Sequence, residues 1–324
     1  MSGFDIDDLA RATEIVRRHV PPTPQYEWPL LNEVAGSTVV VKHENHTPVG
    51  AFKVRGGLVY MDRLVRERPE VSGVVSATRG NHGQSLAFAG RVHARSVTIF
   101  VPHGNSVEKN AAMRALGADV VDFGDDFQAA RERSIEVASE RGLEAVPPFH
   151  HDLVLGVATY ARELFDGAGA LDTVYVPVGM GSGINALIAV RDLLGLDTEI
   201  VGVVSEQAPS TLLSFERGEV VATDTAATFV DGVATRSPDP ESIAGIVAGA
   251  ARVIAVPDAA TAEAMRIIFR TTHNVAESAG AIGLAGLLSE APERRGARSA
   301  FVLCGGNVDT GQFRDVLGGS TPAP

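Results

Sequence analysis

Thr173-Val-Tyr-Val-Pro-Val-Gly-Met-Gly-Ser-Gly-Ile184 reads as a strand that runs into a glycine-rich turn and then a helix. Residues 173–178 lack the polar alternation of a half-exposed strand. An uninterrupted apolar run suits a strand covered on both faces, as in a parallel sheet between helices. The same texture recurs at 96–102 (VTIFV), 199–205 (IVGVV) and 300–304 (AFVLC), with further strand-like runs at 38–42, 73–77, 119–123 and 252–256. Helical periodicity falls between them, near residues 56–68, 83–93, 106–116, 126–140, 153–165, 183–194, 241–250, 258–272 and 276–289. A first helix is expected over 5–18, stopped by Pro21, Pro22 and Pro24. This alternation of strand and helix predicts an α/β fold with doubly wound parallel sheets.

The rest of the chain bounds what that fold can do. Its 324 residues suggest two domains, or one with an inserted lobe, although no linker announces the boundary. Forty acids against 28 bases give a net charge of −12, and no basic run occurs. A nucleic-acid partner is therefore not expected. No apolar stretch is long enough for a bilayer, and the amino-terminal segment lacks the apolar stretch of a leader. Cys304 is the single cysteine, which excludes a cysteine-based zinc cluster and suits the reducing cytoplasm.

Four strand ends carry residues with chemistry, where ligands bind in parallel sheets. The turn Gly179-Met180-Gly181-Ser182-Gly183 lets the backbone approach a ligand closely, and helix-opening N–H groups favour an anion. Its spacing is GxGxG, with Glu206 at the end of the next strand, so a dinucleotide site competes with a phosphate site and with a plain turn. Thr78-Arg79-Gly80-Asn81-His82 opens a helix after strand 73–77. Asn81 there offers one acceptor and two donors, or simply caps the helix while His82 lies at the surface. Lys53 stands between Phe52 and Val54, ahead of Gly56-Gly57. Desolvation of its amine would lower the pKa and make a nucleophile able to form a Schiff base; an ordinary exposed helix lysine is the alternative. Cys304-Gly305-Gly306-Asn307 ends an apolar strand, where a lone cysteine is otherwise a small buried hydrophobe.

In this order FKVRG (52–56), GNHGQ (80–84), the turn after VPV and CGGN (304–307) resemble the fold type II pyridoxal-phosphate enzymes, with the tryptophan synthase β-like fold. The branch they resemble is that of the threonine/serine dehydratases and serine racemases, threonine dehydratase above all. Gly232 in FVDGVATRSP and Glu277 in AESAGA resemble two further segments of that family, so the likeness runs from about Pro22 to Asn307. It implies a large cofactor-binding domain of residues 1–50 and 148–324, a small mobile domain of residues 51–147, and a homodimer. It implies that Lys53 holds pyridoxal 5'-phosphate covalently beside Phe52, that Asn81 hydrogen-bonds the ring hydroxyl, and that Gly179, Met180, Gly181, Ser182 and Gly183 cradle the phosphate. Cys304 would face the pyridine nitrogen, and Thr78, Arg79, Gly80, Asn81 and His82 would bind the amino-acid substrate. The implied reaction is an ammonia-lyase (dehydratase) reaction, with the freed Lys53 as base at Cα. It would eliminate water from a β-hydroxy amino acid of the L-threonine/L-serine type to give a 2-oxo acid and ammonia.

Departures from the family pattern shape the alternatives. Arg79 stands where the family has a small residue and where racemases place a serine as second acid/base. Arginine is a poor general base, which favours the lyase over a serine racemase. Directed into the pocket, Arg79 could pair with an acidic substrate group, which adds threo-3-hydroxyaspartate, and the bulkier phenylserine, to the substrate list. GMGSG replaces a run of glycines, with Ser182 able to donate its hydroxyl. Leu212 stands where some relatives carry a second cation-binding carboxylate after the one matched by Glu206, so no metal is expected. The chain ends soon after CGGN, so the regulatory domain of longer relatives, and its feedback control, are not expected. An NAD-dependent oxidoreductase and a non-catalytic pyridoxal-phosphate-binding protein are the readings from other classes.

Overall fold

The computed structural model describes residues 3–324; Met1 and Ser2, the start of the segment read for a leader, lie outside them. The strands are β1 (Gln25–Glu27), β2 (Thr38–His43), β3 (Gly73–Ala77), β4 (Ser96–Val101), β5 (Asp119–Asp122), β6 (Glu144–Ala145), β7 (Thr173–Pro177), β8 (Glu199–Ser205), β9 (Arg252–Val256) and β10 (Arg298–Leu303). In the first half of the chain the helices are α1 (Ile6–Arg17), α2 (Pro29–Ala35), α3 (Lys53–Glu67), α4 (Asn81–Val92), α5 (Val107–Ala115), α6 (Phe127–Arg141) and α7 (His151–Ala168). In the second half they are α8 (Ser182–Leu193), α9 (Ser210–Arg217), α10 (Pro240–Gly249), α11 (Asp258–Thr272), α12 (Ser278–Ser289), α13 (Pro292–Arg295) and α14 (Thr310–Leu317). Among the described residues no helix is long and apolar enough to cross a membrane.

Two sheets result. One has six strands in the order β1-β2-β10-β7-β8-β9, parallel except for the short edge strand β1, which runs against β2. The other has four parallel strands in the order β5-β4-β3-β6, all between residues 73 and 145. The apolar runs are buried as their texture requires: Val174, Tyr175 and Val176 in β7 and Phe301, Val302 and Leu303 in β10 are at most 1% exposed. Each such large side chain contributes about 1.5–3 kcal/mol by leaving water. A second core surrounds the smaller sheet, built from Val74, Ile99, Leu58, Met61 and Leu86.

Helices α3 and α7 cross at backbone contact. A Cβ on Gly56 would lie 2.7 Å from the Leu153 carbonyl, and one on Gly156 would lie 2.3 Å from the Arg55 carbonyl. This crossing fixes where α3 begins, and so where Lys53 lies.

Several elements escape sequence periodicity for physical reasons. β1 and β6 have three and two residues, too few to show a pattern. Helix α2 carries Pro29 in its first turn, a position proline tolerates because that N–H has no helical partner anyway. Helix α3 starts at Lys53, before the expected residue 56, because Arg55, Gly56 and Gly57 are buried against neighbouring helices instead of forming a loop.

Candidate active site

Phe52 N–H donates to the Cys304 carbonyl at 2.9 Å, and Ala51 forms an antiparallel bridge with Gly305. These contacts tie the first turn of α3 to the carboxyl end of β10 and bring Lys53 and Cys304 together. Lys53 is partly buried, with its amine 4.8 Å from the centroid of the Phe52 ring. Burial holds this amine below the usual lysine range, while Cys304 and Glu277 act the other way, and the amine has no hydrogen bond among the described residues. A desolvated amine without an acceptor is poised as a nucleophile and proton carrier.

The alternative that placed His82 at the surface is corrected: it is 8% exposed. Burial, and then the Lys53 charge, push its ring down to about 3, and its Nε2 has no partner among the described residues. The imidazole is therefore neutral. Cys304 is buried too, and burial, then Glu277, push its thiol well up, so it is present as the thiol.

The turn after β7 supplies backbone donors. Gly181 has a φ of +95°, in the left-handed region that favours glycine, and a Cβ there would lie 1.9 Å from Ser242 Oγ. Asn185 braces this turn, its Nδ2 donating to the Gly181 carbonyl at 3.0 Å and to the Ser242 carbonyl at 3.2 Å. Helix α8 opens at Ser182, so the Ser182, Gly183 and Ile184 N–H groups have no carbonyl one turn behind them within the helix. The turn faces the Lys53 side: a Cβ on Gly183 would lie 3.3 Å from the Tyr160 hydroxyl and 4.0 Å from the Phe52 ring. Met180 is half-buried against the larger apolar core.

Asn81 is the first residue of α4 and not its cap, which is Gly80. Its Nδ2 donates to Glu277 Oε1 at 2.6 Å, and its Oδ1 accepts from Asn307 Nδ2 at 2.8 Å. Thr78 Oγ1 accepts from the Gly80 N–H at 3.1 Å, which holds the loop closed. Arg79 is not gathered in with the others: it is exposed and forms no hydrogen bond or ion pair among the described residues.

Lys109 and Asp231 escaped the sequence reading, and Glu277 entered it only through a family likeness. Lys109 Nζ pairs with Asp231 and lies 4.0 Å from Glu277 Oε2. One signal was available for Glu277, the only charged residue between positions 275 and 289. A solitary carboxylate in so apolar a stretch must be buried or at a helix end. Lys109, in the polar stretch NSVEKN, gives no such signal.

An anion cradle, a desolvated amine, a primary amide with directed donors and a neutral thiol thus meet beyond the carboxyl ends of β3, β7 and β10. A family model described as pyridoxal-phosphate dependent enzyme matches residues 16–305. L-threo-3-hydroxyaspartate ammonia-lyase of Pseudomonas sp is 32% identical over 314 residues, covering 96% of this chain and 98% of that protein. L-threonine ammonia-lyase of Thermotoga maritima is 28% identical over 313 residues, covering 96% of this chain and 78% of that one. Among solved structures, the processed form of threonine deaminase isoform 2 from Solanum lycopersicum superposes with a TM-score of 0.88 at 27% identity, covering 97% of this chain and 94% of that chain.

Proposed function

The chain belongs to the pyridoxal-phosphate dependent enzymes, and from that membership we propose that it is an ammonia-lyase eliminating water from β-hydroxy amino acids of the L-threonine/L-serine type. The observation that carries this reading is the desolvated Lys53 amine, without a hydrogen bond among the described residues and tied through Phe52 to Cys304 and the Gly179–Gly183 turn.

The residues fit the cofactor. The first-turn N–H groups of α8 and the Ser182 hydroxyl suit a phosphate monoester, and Lys53 offers the amine for a covalent link. When bound, pyridoxal phosphate supplies an electron sink for the electrons left at the substrate Cα. Lys53 Nζ would take the Cα proton, and burial, which disfavours the charged form of this amine, favours the neutral form that can accept it. Asn81 would hold the ring hydroxyl through the Nδ2 hydrogen that Glu277 leaves free. Thr78, Gly80, Asn81 and His82 would surround the substrate carboxylate, with exposed Arg79 at the outer side of this loop. The neutral imidazole of His82 adds no charge there.

Cys304, as a neutral thiol, would stand against the ring nitrogen without holding it protonated. Cys304→Ser is therefore expected to keep ammonia release within a few-fold. Cys304→Asp would place a second carboxyl against buried Glu277 and is expected to slow release by at least about tenfold, or ~1.4 kcal/mol in barrier. Steady-state assays of ammonia and 2-oxo acid check both, and an active Asp variant would contradict this placement.

A second substrate reading rests on Arg79, an exposed cation of the substrate loop that has no partner among the described residues and would have to turn into the pocket to meet substrate. It suits a substrate with an acidic side chain, such as threo-3-hydroxyaspartate. Arg79→Ser is expected to lower kcat/KM for that substrate by about 10–100-fold, the worth of one charged hydrogen bond, with little change for threonine. Equal losses on both substrates would remove Arg79 from specificity.

The same proposal takes residues 51–147 as a mobile lobe closing on residues 1–50 and 148–324, and places a homodimer in the cytoplasm. One free cysteine suits that compartment. The exposed Leu30 and Val34, one helical turn apart on α2, suit contact with a second copy. Incubation with threonine, serine, 3-hydroxyaspartate and phenylserine, scoring ammonia and 2-oxo acid, tests the activity. Product from at least one supports it, and none from any overturns it.

A further inference from the structure

We propose that Glu277 is the positioning residue for Asn81, held in place across the cleft by the Lys109–Asp231 pair. The inference rests on the cofactor reading above. Asn81 opens α4 and Lys109 lies in α5, both beside the four-stranded sheet. Glu277 precedes α12, Asp231 starts the short helical turn Asp231–Val233, and Asn307 follows β10, all beside the six-stranded sheet. Every polar contact of the chain Asn307–Asn81–Glu277–Lys109–Asp231 therefore runs from one side of the cleft to the other.

The hydrogen-bond inventory sets the amide's orientation. A carboxylate only accepts, so the group of Asn81 at 2.6 Å from Glu277 Oε1 must be Nδ2. Asn307 Nδ2 occupies Oδ1 and is itself anchored by donating to the Val49 carbonyl at 2.8 Å. One Nδ2 hydrogen remains, and its direction is fixed by the two bonds already made. Without Glu277 the amide would be free to rotate about its remaining contact.

The surroundings leave room for this chain. A Cβ on Gly305 would lie 2.0 Å from Glu277 Oε1, and one on Gly80 would lie 2.7 Å from Lys109 Cδ. Glycine at both positions thus makes space for the carboxylate and for the lysine stem. Burial pushes the Glu277 carboxyl up to about 7, and Asp231 adds to this, while Lys109, Asn81 and Lys53 act the other way. Lys109 keeps its charge: burial opposes it, but Asp231 and then Glu277 raise it overall. The charged or titratable groups facing Glu277 are Lys109, Asp231, Lys53 and the Cys304 thiol. An ionised carboxylate accepts about twice as strongly as a neutral group. The clasp is therefore tight above neutral pH and loosens as pH falls below about 7.

The test compares wild type with Glu277→Ala, Glu277→Gln and Lys109→Met. Readouts are the visible absorbance of the bound cofactor, cofactor affinity by titration of the stripped protein, and the pH profile of kcat. Glu277→Ala is expected to lower kcat by about 10–100-fold, with KM changing less, and to shift the visible band. Glu277→Gln, which keeps the shape and one acceptor, is expected to lose less than about tenfold and to lose the acid-side limb of the profile near neutrality. Lys109→Met removes the cation that lowers the Glu277 pKa, so the limb should move to higher pH. A Glu277→Ala protein with a wild-type band and kcat, or a Lys109→Met protein with an unmoved limb, would overturn the proposal. If the Ala variant fails to fold, the Gln and Met profiles still decide it. A colourless wild type would overturn the cofactor reading and this proposal with it; a coloured, active wild type beside unaffected variants overturns this proposal alone.

Discussion

Purified Lys53→Ala protein is expected to be colourless after addition of pyridoxal phosphate and to release ammonia about 10²–10⁴-fold more slowly than wild type, the usual worth of a positioned acid/base. The effect should be confined to chemistry. Lys53 is the first residue of α3, where alanine is the best helix former, and the substitution removes an amine whose charge burial already disfavours. The thermal midpoint of the stripped protein is therefore expected to hold or rise. Loss of colour with an unchanged midpoint separates a lost chemical group from a lost fold. A coloured, active Lys53→Ala protein would place the covalent link elsewhere.

The largest effect on stability is expected two residues further on. Arg55 is wholly buried, its Nε and Nη2 donating to Glu44 at 2.8 and 3.0 Å and its Nη1 and Nη2 to Glu163, both at 2.9 Å. Lys42 Nζ completes the group at 2.8 Å from Glu163 Oε2, so two cations face two carboxylates away from water. Arg55→Met keeps the bulk and leaves both carboxylates to one lysine. Removing one partner of a buried pair costs about 3–5 kcal/mol. At the usual unfolding entropy per residue, that lowers the midpoint of a chain of this length by roughly 4–8 °C.

The pH dependence of this loss has a definite sign. Burial works against the Glu163 charge, but Arg55 and Lys42 together hold its carboxyl below the usual range. A depressed carboxylate contributes stability above its unfolded pKa and loses it as pH falls through the folded value. The gap between wild type and Arg55→Met should thus be widest near neutrality and shrink below about pH 4.5. Thermal melts across that range check it, and Arg55→Met/Glu163→Gln should recover part of the loss. Arg55→Lys should not rescue, because an ammonium cannot bind two carboxylates bidentately. A pH-independent gap would mean that packing, and not charge, makes Arg55 necessary. Because this cluster anchors the turn of α3 that carries Lys53, the Arg55 variants should also bind the cofactor more weakly.

The local chemistry was legible in the chain because it is local. The glycine turn lies between strand and helix, and Lys53, Asn81 and Cys304 each stand at a strand end or helix start that a short window reveals. His82 and Arg79 show where that stops. Adjacent helix-opening segments carry no record of which side chain turns inward, and the structure buries the first and exposes the second.

The sequence by itself determined the covered parallel strands, since only burial on both faces tolerates uninterrupted apolar runs, and it determined the order of the segments proposed to bind the cofactor. The tertiary structure alone decided the partners of the charges. Asn81 meets Glu277 across 196 residues, Lys109 meets Asp231 across 122, and Arg55 meets Glu163 across 108. Hydrophobic periodicity records which face of an element is buried. Which carboxylate meets which cation depends on how the crossovers stack one sheet against the other, and no pattern within a single strand or helix holds that information.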